Sequence, residues 1–412
     1  MATTRSLQSE QAGFVGRTVG ETSVYPPAFL EYTWYASLAY GMLGQVWGIV
    51  IPSVGGAILV LLAVVCLLNV GGQAVRTYKP IAWALCTGIV VIAIQFFFHE
   101  GGERASTEAI YFIGWLALLI IVQTLSLRPY FLQRFALVAF AIGVACLPYI
   151  NIRNVGGVMR AWASGTGISN PNVLGLWFGF STVYFLFWGL QCRKPMLRAA
   201  AWTAAVGSLY IVTLSVSRGP LLAIVLACVV GFRSELKRSF VPLLSLVLLM
   251  CLVYVSGVFD EEIAYYTARG AEESGRGRLW PLALDRIFDS PWVGVGLGDI
   301  LIRTRSGKLM NPHNGLLHIA LGAGIVPVIC FLAYCGHVAA GAVRMMRSVQ
   351  VGEAALLPPL IVFGLFETMV LDFAFMTSWV VVVFGLAASA SKRSIIKNLD
   401  DCPGDKFRGH VA

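Results

Sequence analysis

Arg218 stands in Ser-Val-Ser-Arg-Gly-Pro, residues 215–220, between two apolar runs with almost no loop. An arginine held at membrane depth is costly and calls for a partner. A membrane-anchored phosphate suits it, because the guanidinium offers a planar fork of donors. The alternative is a side chain that snorkels to the interface. His313, in Asn-Pro-His-Asn-Gly, is the one histidine of five placed where a long outside loop re-enters an apolar run. A neutral imidazole there could act as a general base, or could only cap a helix. His318 lies a turn deeper and reads as structural, His99 and His337 fall at opposite membrane boundaries, and His410 is in the tail. Arg153, Arg160, Asn170 and Asn172 crowd a shorter loop, and Arg276 and Arg278 belong to the long one. Glu367 lies inside an apolar run, where a carboxylate is a site candidate, a neutral acid, or the partner of an arginine.

The elements that must position these residues are membrane helices. The chain is 58% hydrophobic and 12% charged, against about 45–50% and about 25% for an ordinary soluble domain. Apolar runs near 30–50, 53–70, 80–98, 109–126, 130–149, 172–190, 198–214, 219–231, 239–257, 313–343, 354–370 and 374–390 predict an all-α polytopic membrane protein with about twelve transmembrane helices. The run 313–343 is too long for one pass, and Gly322, Gly324 and Pro327 allow a bend there. With the N-terminus inside, 19 of the 30 lysines and arginines fall on the cytoplasmic side, and every short inside loop carries at least two. That bias puts both termini in the cytoplasm. The divisions are a cytoplasmic tail 1–27, helices one to nine over 28–257, a large outside loop 258–312, helices ten to twelve over 313–390, and a cytoplasmic tail 391–412.

The long loop holds eight acids and seven bases, and an amphipathic stretch in which Leu279, Trp280, Leu282, Leu284, Ile287 and Phe288 share a face. Such a helix can lie on the membrane and roof a cavity. Gly294, Gly296 and Gly298 read as a tight turn, since the strand–helix setting and lysine of a phosphate loop are missing. The net charge of +9 sits mostly in short loops, so it signals topology and anionic lipid, not nucleic acid. The nine cysteines show no metal-ligand spacing with histidines and read as small buried side chains. No cleavable signal peptide and no transporter-like internal repeat are visible.

Taken in order, four local patterns resemble the O-antigen ligase and polymerase superfamily. Ser-Val-Ser-Arg-Gly around Arg218 resembles its Ser-x-Ser-Arg-Gly, and Gly-Ile-Ser-Asn-Pro-Asn, ending at Asn172, resembles its Asn-Pro-Asn segment. Arg278-Leu-Trp-Pro-Leu-Ala-Leu, followed by Ser290-Pro-Trp-Val-Gly-Val-Gly, resembles the loop's Arg-x-x-Trp and Pro-x-x-Gly-x-Gly. His313-Asn314, then nine residues, then Gly324 resembles the His-Asn motif after the loop. Pro327 departs from the ligase pattern, which has Gly, Thr or Tyr there. The resemblance implies an inner-membrane glycosyltransferase with its site facing the periplasm and a donor glycan on undecaprenyl diphosphate. In a ligase the acceptor is lipid A–core; in a polymerase it is a second lipid-linked glycan.

For such a donor the diphosphate leaves as an anion, so the site must hold negative charge at the membrane surface. Arg218 and Arg278 are the expected catalytic cations, with Arg160 and Arg276 helping, and Asn170, Asn172, Asn314 and Glu367 as further substrate contacts. His313 is the expected base, and direct attack by the hydroxyl inverts the anomeric centre. No cofactor or metal is called for. A transporter or flippase is the rival of a different class, favoured by Glu367 and opposed by the bunching of Arg, Asn and His on one face. A structural scaffold is a third reading; it would tolerate loss of Arg218 and His313.

Overall fold

A computed structural model describes most of residues 26–68, 79–231 and 276–347. The runs read at 239–257, 354–370 and 374–390, and with them Glu367, lie outside the described residues. So does His313.

The described helices in chain order are α1 (Ala28–Leu43), α2 (Lys79–Phe98), α3 (Glu103–Leu125), α4 (Phe131–Cys146), α5 (Pro171–Gln191), α6 (Pro195–Leu214), α7 (Arg218–Gly231), α8 (Arg276–Asp289), α9 (Gly315–Ala323) and α10 (Ile325–Arg347). Residues 57–68 are helical where described. Among the described residues, four stretches are long and apolar enough to cross a membrane: Glu103–Val122, Phe131–Tyr149, Pro171–Gln191 and Pro195–Leu214. Shorter apolar helices cover Ala82–Phe98, Arg218–Cys228 and Ile325–His337.

The centre of the bundle is α5. Asn170 caps it, its side chain accepting from Asn172 N–H at 2.8 Å, and Pro171 opens it, where a missing N–H costs nothing. Its apolar residues point all round, and nearly every face is buried, as such a helix requires. It packs on α4, α6 and α7. Trp177 donates its indole N–H to the Ala139 carbonyl at 2.8 Å, pinning α5 to α4. On the other side of the core, α2 lies along α10 and against α3.

Contacts sort the loops onto two ends. At one end, Glu31 in the first turn of α1 is fully buried and takes ion pairs from Arg128 at 2.6 Å and Arg134 at 2.7 Å, with the Tyr35 hydroxyl donating at 2.7 Å. At the other end, the foot of α1 meets the 163–168 segment through Gly167 N–H to Met42 O, and the end of α2 meets the long loop. The first end gathers residues assigned to the cytoplasmic side, and the second gathers those assigned to the outside.

Two features depart from an all-helical reading. Residues 150–163 are a β-hairpin: β1 (Ile150–Val155) pairs antiparallel with β2 (Val158–Ala163), placing Arg153 opposite Arg160. A second, two-residue ladder joins β3 (Ile302–Arg303) to β4 (Leu309–Met310). The first has a plain cause in Gly156-Gly157 between β-branched and alternating residues, a short-range hairpin signal. The bend expected in the run 313–343 is a full break at Gly324, which separates α9 from α10.

Candidate active site at the outer end

Arg160, on β2, reaches across to the turn between α6 and α7. Its Nε donates to the Ser215 carbonyl at 3.0 Å, and one terminal nitrogen donates to Asn172 Oδ1 at 3.1 Å and Ser217 Oγ at 3.0 Å. Ser217 in turn donates to Asn172 Oδ1 at 2.9 Å. Arg160, Asn172 and Ser217 therefore form one closed ring of bonds that joins the hairpin, the start of α5 and the α6–α7 turn. Ser215 and Ser217 are buried, and Arg160 and Asn172 are half-buried.

That turn is held in an unfavourable shape. Val216 has φ +47°, a left-handed conformation that a β-branched residue rarely adopts. Gly175 of α5 lies against it: a Cβ there would come within 2.7 Å of Ser215 Oγ and 3.0 Å of Pro220 Cγ. The next residue after Ser217 is Arg218, first in α7 and exposed at the outer end. A cation at a helix N-terminus meets the positive end of the helix dipole, which costs about 0.3–1 kcal/mol at an exposed site. Arg160 and Arg218 flank Ser217, the first through its hydrogen bond and the second as its neighbour in the chain. Across the hairpin, Arg153 is exposed beside Arg160 in the ladder, another like-charge neighbour that an anion would relieve.

The long loop carries a second set of the expected residues. The amphipathic stretch is α8, with Leu279, Ala283 and Ile287 buried and Phe288 exposed. Trp280 donates its indole N–H to the Pro312 carbonyl at 3.0 Å. Asn314 caps α9, its side-chain oxygen accepting from Leu316 N–H at 2.9 Å and Leu317 N–H at 3.2 Å. The neighbours of His313 on both sides are thus tied down. Arg276 and Arg278 begin α8, and their backbone is described without their side chains.

The glycine-rich segment after α8 is a tight turn, as read, and it has a partner. Val295 N–H donates to the Leu321 carbonyl at 2.6 Å, and Ile325 N–H to the Pro291 carbonyl at 2.9 Å. The turn fills the break between α9 and α10: any Cβ on Gly294 would run into the backbone of Leu321 to Gly324, and any Cβ on Gly324 into that of Trp292. His99 donates Nε2–H to the Val293 carbonyl at 2.8 Å, because a carbonyl can only accept, and Gln95 takes Leu297 N–H at 2.8 Å. The loop is therefore locked onto the ends of α2, α9 and α10.

Of the expected site residues, Arg160, Asn170, Asn172 and Arg218 are brought into one neighbourhood at the outer end. Asn170 and Asn314 spend their side-chain oxygens on helix caps. Two residues, Ser217 and Glu108, escaped the sequence reading, and a third, His318, was read as structural. Ser217, inside the Arg218 motif, is a ring member in its own right. Glu108 and His318 face each other inside the bundle; Glu108 stands one residue ahead of the run read from 109, and a carboxylate so placed was the available signal.

Residues 199–332 match the family described as O-antigen ligase. No curated protein matches the chain. The matched segment spans the α6–α7 turn with Arg218, helix α8, the glycine turn and the Asn314 cap, which carry three of the four patterns seen in the sequence; Asn-Pro-Asn at 170–172 lies outside it. That match, over about a third of the chain, supports the resemblance to the O-antigen ligase-like superfamily.

Proposed function

We propose that this chain is an inner-membrane glycosyltransferase that moves a glycan from undecaprenyl diphosphate to an acceptor hydroxyl at the periplasmic face. The acceptor is lipid A–core, so the reaction is O-antigen ligation. The protein crosses the membrane twelve times with both termini in the cytoplasm. The observation that carries the reading is the Arg160–Asn172–Ser217 ring, which sets Arg218 at the start of α7 on the end of the bundle assigned to the periplasm.

The chemistry follows from the donor. The bond from the anomeric carbon to the diphosphate oxygen breaks, and its electron pair leaves on the diphosphate. Arg218 and Arg278 hold that charge, with Arg160 and Arg276 beside them. One preorganised donor of this kind is worth about 2.7–4 kcal/mol in a well-studied hydrolase. His313 takes the proton from the acceptor oxygen, which attacks from the opposite face and inverts the centre. General-base help is worth about 10²–10⁴-fold. Arginines supply the positive charge, so no metal has a role in this scheme.

Pro327 stands where the ligase pattern has Gly, Thr or Tyr, and this departure leaves a second reading, a polymerase of lipid-linked repeats. Purified protein in proteoliposomes, given an undecaprenyl-diphosphate oligosaccharide with and without lipid A–core, separates the two. Glycan on lipid A–core, lost in His313→Ala, is the expected result. A ladder of longer lipid-linked chains without lipid A–core makes it a polymerase. No product from authentic donor and folded protein overturns both.

A further inference from the structure

His318 lies one turn below Asn314 on α9, its N–H bonded to the Asn314 carbonyl. It is 1% exposed, and neither ring nitrogen has a hydrogen-bond partner among the described residues. Its Nε2 is 4.0 Å from Oε2 of Glu108 on α3, an oxygen that is also buried and unpartnered. A separation of 4.0 Å is too long for a direct hydrogen bond and fits one bridging water. Each buried polar atom left unpaired costs about 1–3 kcal/mol, so three of them in one seam ask for an explanation. An acid and an imidazole inside a membrane bundle are retained where protons or ions are handled. Glu108 keeps a little of its side chain accessible, so the seam is not sealed.

We propose that Glu108 and His318 form a proton-accepting pair, which takes over through one bound water the proton released from the acceptor hydroxyl. The inference rests on the glycosyl-transfer reading. The acceptor O–H bond breaks as the new glycosidic bond forms, and the diphosphate leaves with the electron pair of the old one. The proton passes from the general base to the pair, and from there to the outer aqueous phase. The base is thereby reset while the anionic product is still held by the arginines. Several charged and titratable groups lie on the elements around this seam. They are Arg104, one turn before Glu108 on α3; His99 at the end of α2; Asp299 in the short 3-10 turn against α3; and Asp285 and Arg286 on α8. Arg104 acts on Glu108 through its charge, and His99 is committed to the Val293 carbonyl.

Glu108→Gln keeps the shape and removes the exchangeable proton, and His318→Gln removes the second site. Both are compared with the full-length wild-type protein in proteoliposomes. Turnover is measured across pH at saturating donor, with the donor KM and the thermal unfolding midpoint. The expected result is a fall in kcat of at least about tenfold in Glu108→Gln, with donor KM and thermal midpoint nearly unchanged. Infrared spectra across a pH titration should also contain a carboxyl band that Glu108→Gln removes and His318→Gln shifts. Wild-type turnover in Glu108→Gln at every pH, or no titrating Glu108 band, overturns the pair's role while leaving the transferase reading intact. A titrating Glu108 band in a wild-type protein that transfers nothing overturns the transferase reading and the relay together, which distinguishes the two failures.

Discussion

Replacing Arg160 with alanine removes three hydrogen bonds at once, to Ser215 O, Asn172 Oδ1 and Ser217 Oγ. Hydrogen bonds to a charged group contribute about 1.5–3 kcal/mol each. Here they share one half-exposed guanidinium, so their joint effect on the turn is roughly 2–3 kcal/mol, not the sum. The turn is poised to use that release. Val216 sits at φ +47°, and a β-branched residue held there stores about 1–3 kcal/mol. Without Arg160 the Ser215–Ser217 backbone relaxes toward an ordinary helix end, and Arg218 swings away from its place. A loss of about 3 kcal/mol in transition-state stabilisation is about a 10²-fold loss in transfer. Arg160→Lys restores the charge but not the fork, and should stay at least about tenfold down. Transfer from a lipid-linked donor in proteoliposomes measures it, with Asn172→Ala and the double variant completing a cycle. The effects should be non-additive by about 0.5–3 kcal/mol, because both residues serve one ring. Near wild-type transfer in a normally inserted Arg160→Ala protein refutes the argument, as does strict additivity.

Asn314→Ala should lower stability by about 1 kcal/mol through loss of the α9 cap, read by thermal unfolding, whereas Asn314→Asp keeps the cap; a drop in turnover that persists in Asn314→Asp would assign its amide to the substrate. Gly324→Ala should cost more than about 2 kcal/mol and lower the yield of folded protein, because φ +76° with ψ −166° is open essentially to glycine alone and the new Cβ meets the Trp292 backbone; normal yield and midpoint would show that the joint can shift. Glu31→Gln leaves Arg128 and Arg134 without their shared carboxylate; the loss should approach the roughly 3–5 kcal/mol of a broken buried pair, reduced because the arginines are 17% and 30% exposed. Specific transfer activity of the Glu31→Gln protein that does fold should match wild type, since the cluster lies at the end opposite the arginine ring.

Helix positions were legible because membrane helices announce themselves by run length alone: α2, α5, α6 and α7 start and stop within a few residues of the runs read for them. The amphipathic period gave α8, and the glycines gave the break before α10. The hairpin at 150–163 was missed, although Gly156-Gly157 marks it, because a short polar segment between two helices reads as loop when attention is on hydropathy. At the site, residue types with charge stood out and their neutral partners did not. Arg160, Asn172 and Arg218 were all named, yet Ser217 was not, since a serine carries no signal until a second element is brought beside it. His318 read as structural for a sound reason, being one of many residues on an apolar helix face. Its orphaned nitrogens and the carboxylate 4.0 Å away depend on how α3 meets α9, a relation that no local pattern contains.

The family-like patterns prove to be pairs of mating parts. Asn-Pro-Asn and Ser-Val-Ser-Arg-Gly-Pro meet at one ring, closed by Arg160 from a hairpin that belongs to neither. The turn Pro291 to Gly296 and the glycine at 324 meet at one joint, where each forbids a Cβ on the other. The consequence is mechanical. Helix α9 is held at its foot by that joint and at its head by the Asn314 cap, with the Trp280 bond to Pro312 just before it. A short helix on a long loop would ordinarily be free to drift, and catalysis by a positioned base does not tolerate a drift of an ångström. Arg218 is fixed in the same manner, by backbone strain and a hydrogen-bonded ring instead of a buried side chain. Its head group can thus remain exposed, as the proposed lipid-borne substrate requires, while its backbone is held from behind. On the proposed reading, a site that admits a bulky membrane-bound donor from the side has to be open. Rigidity therefore has to come from behind the functional groups, which is where the ring and the joint lie.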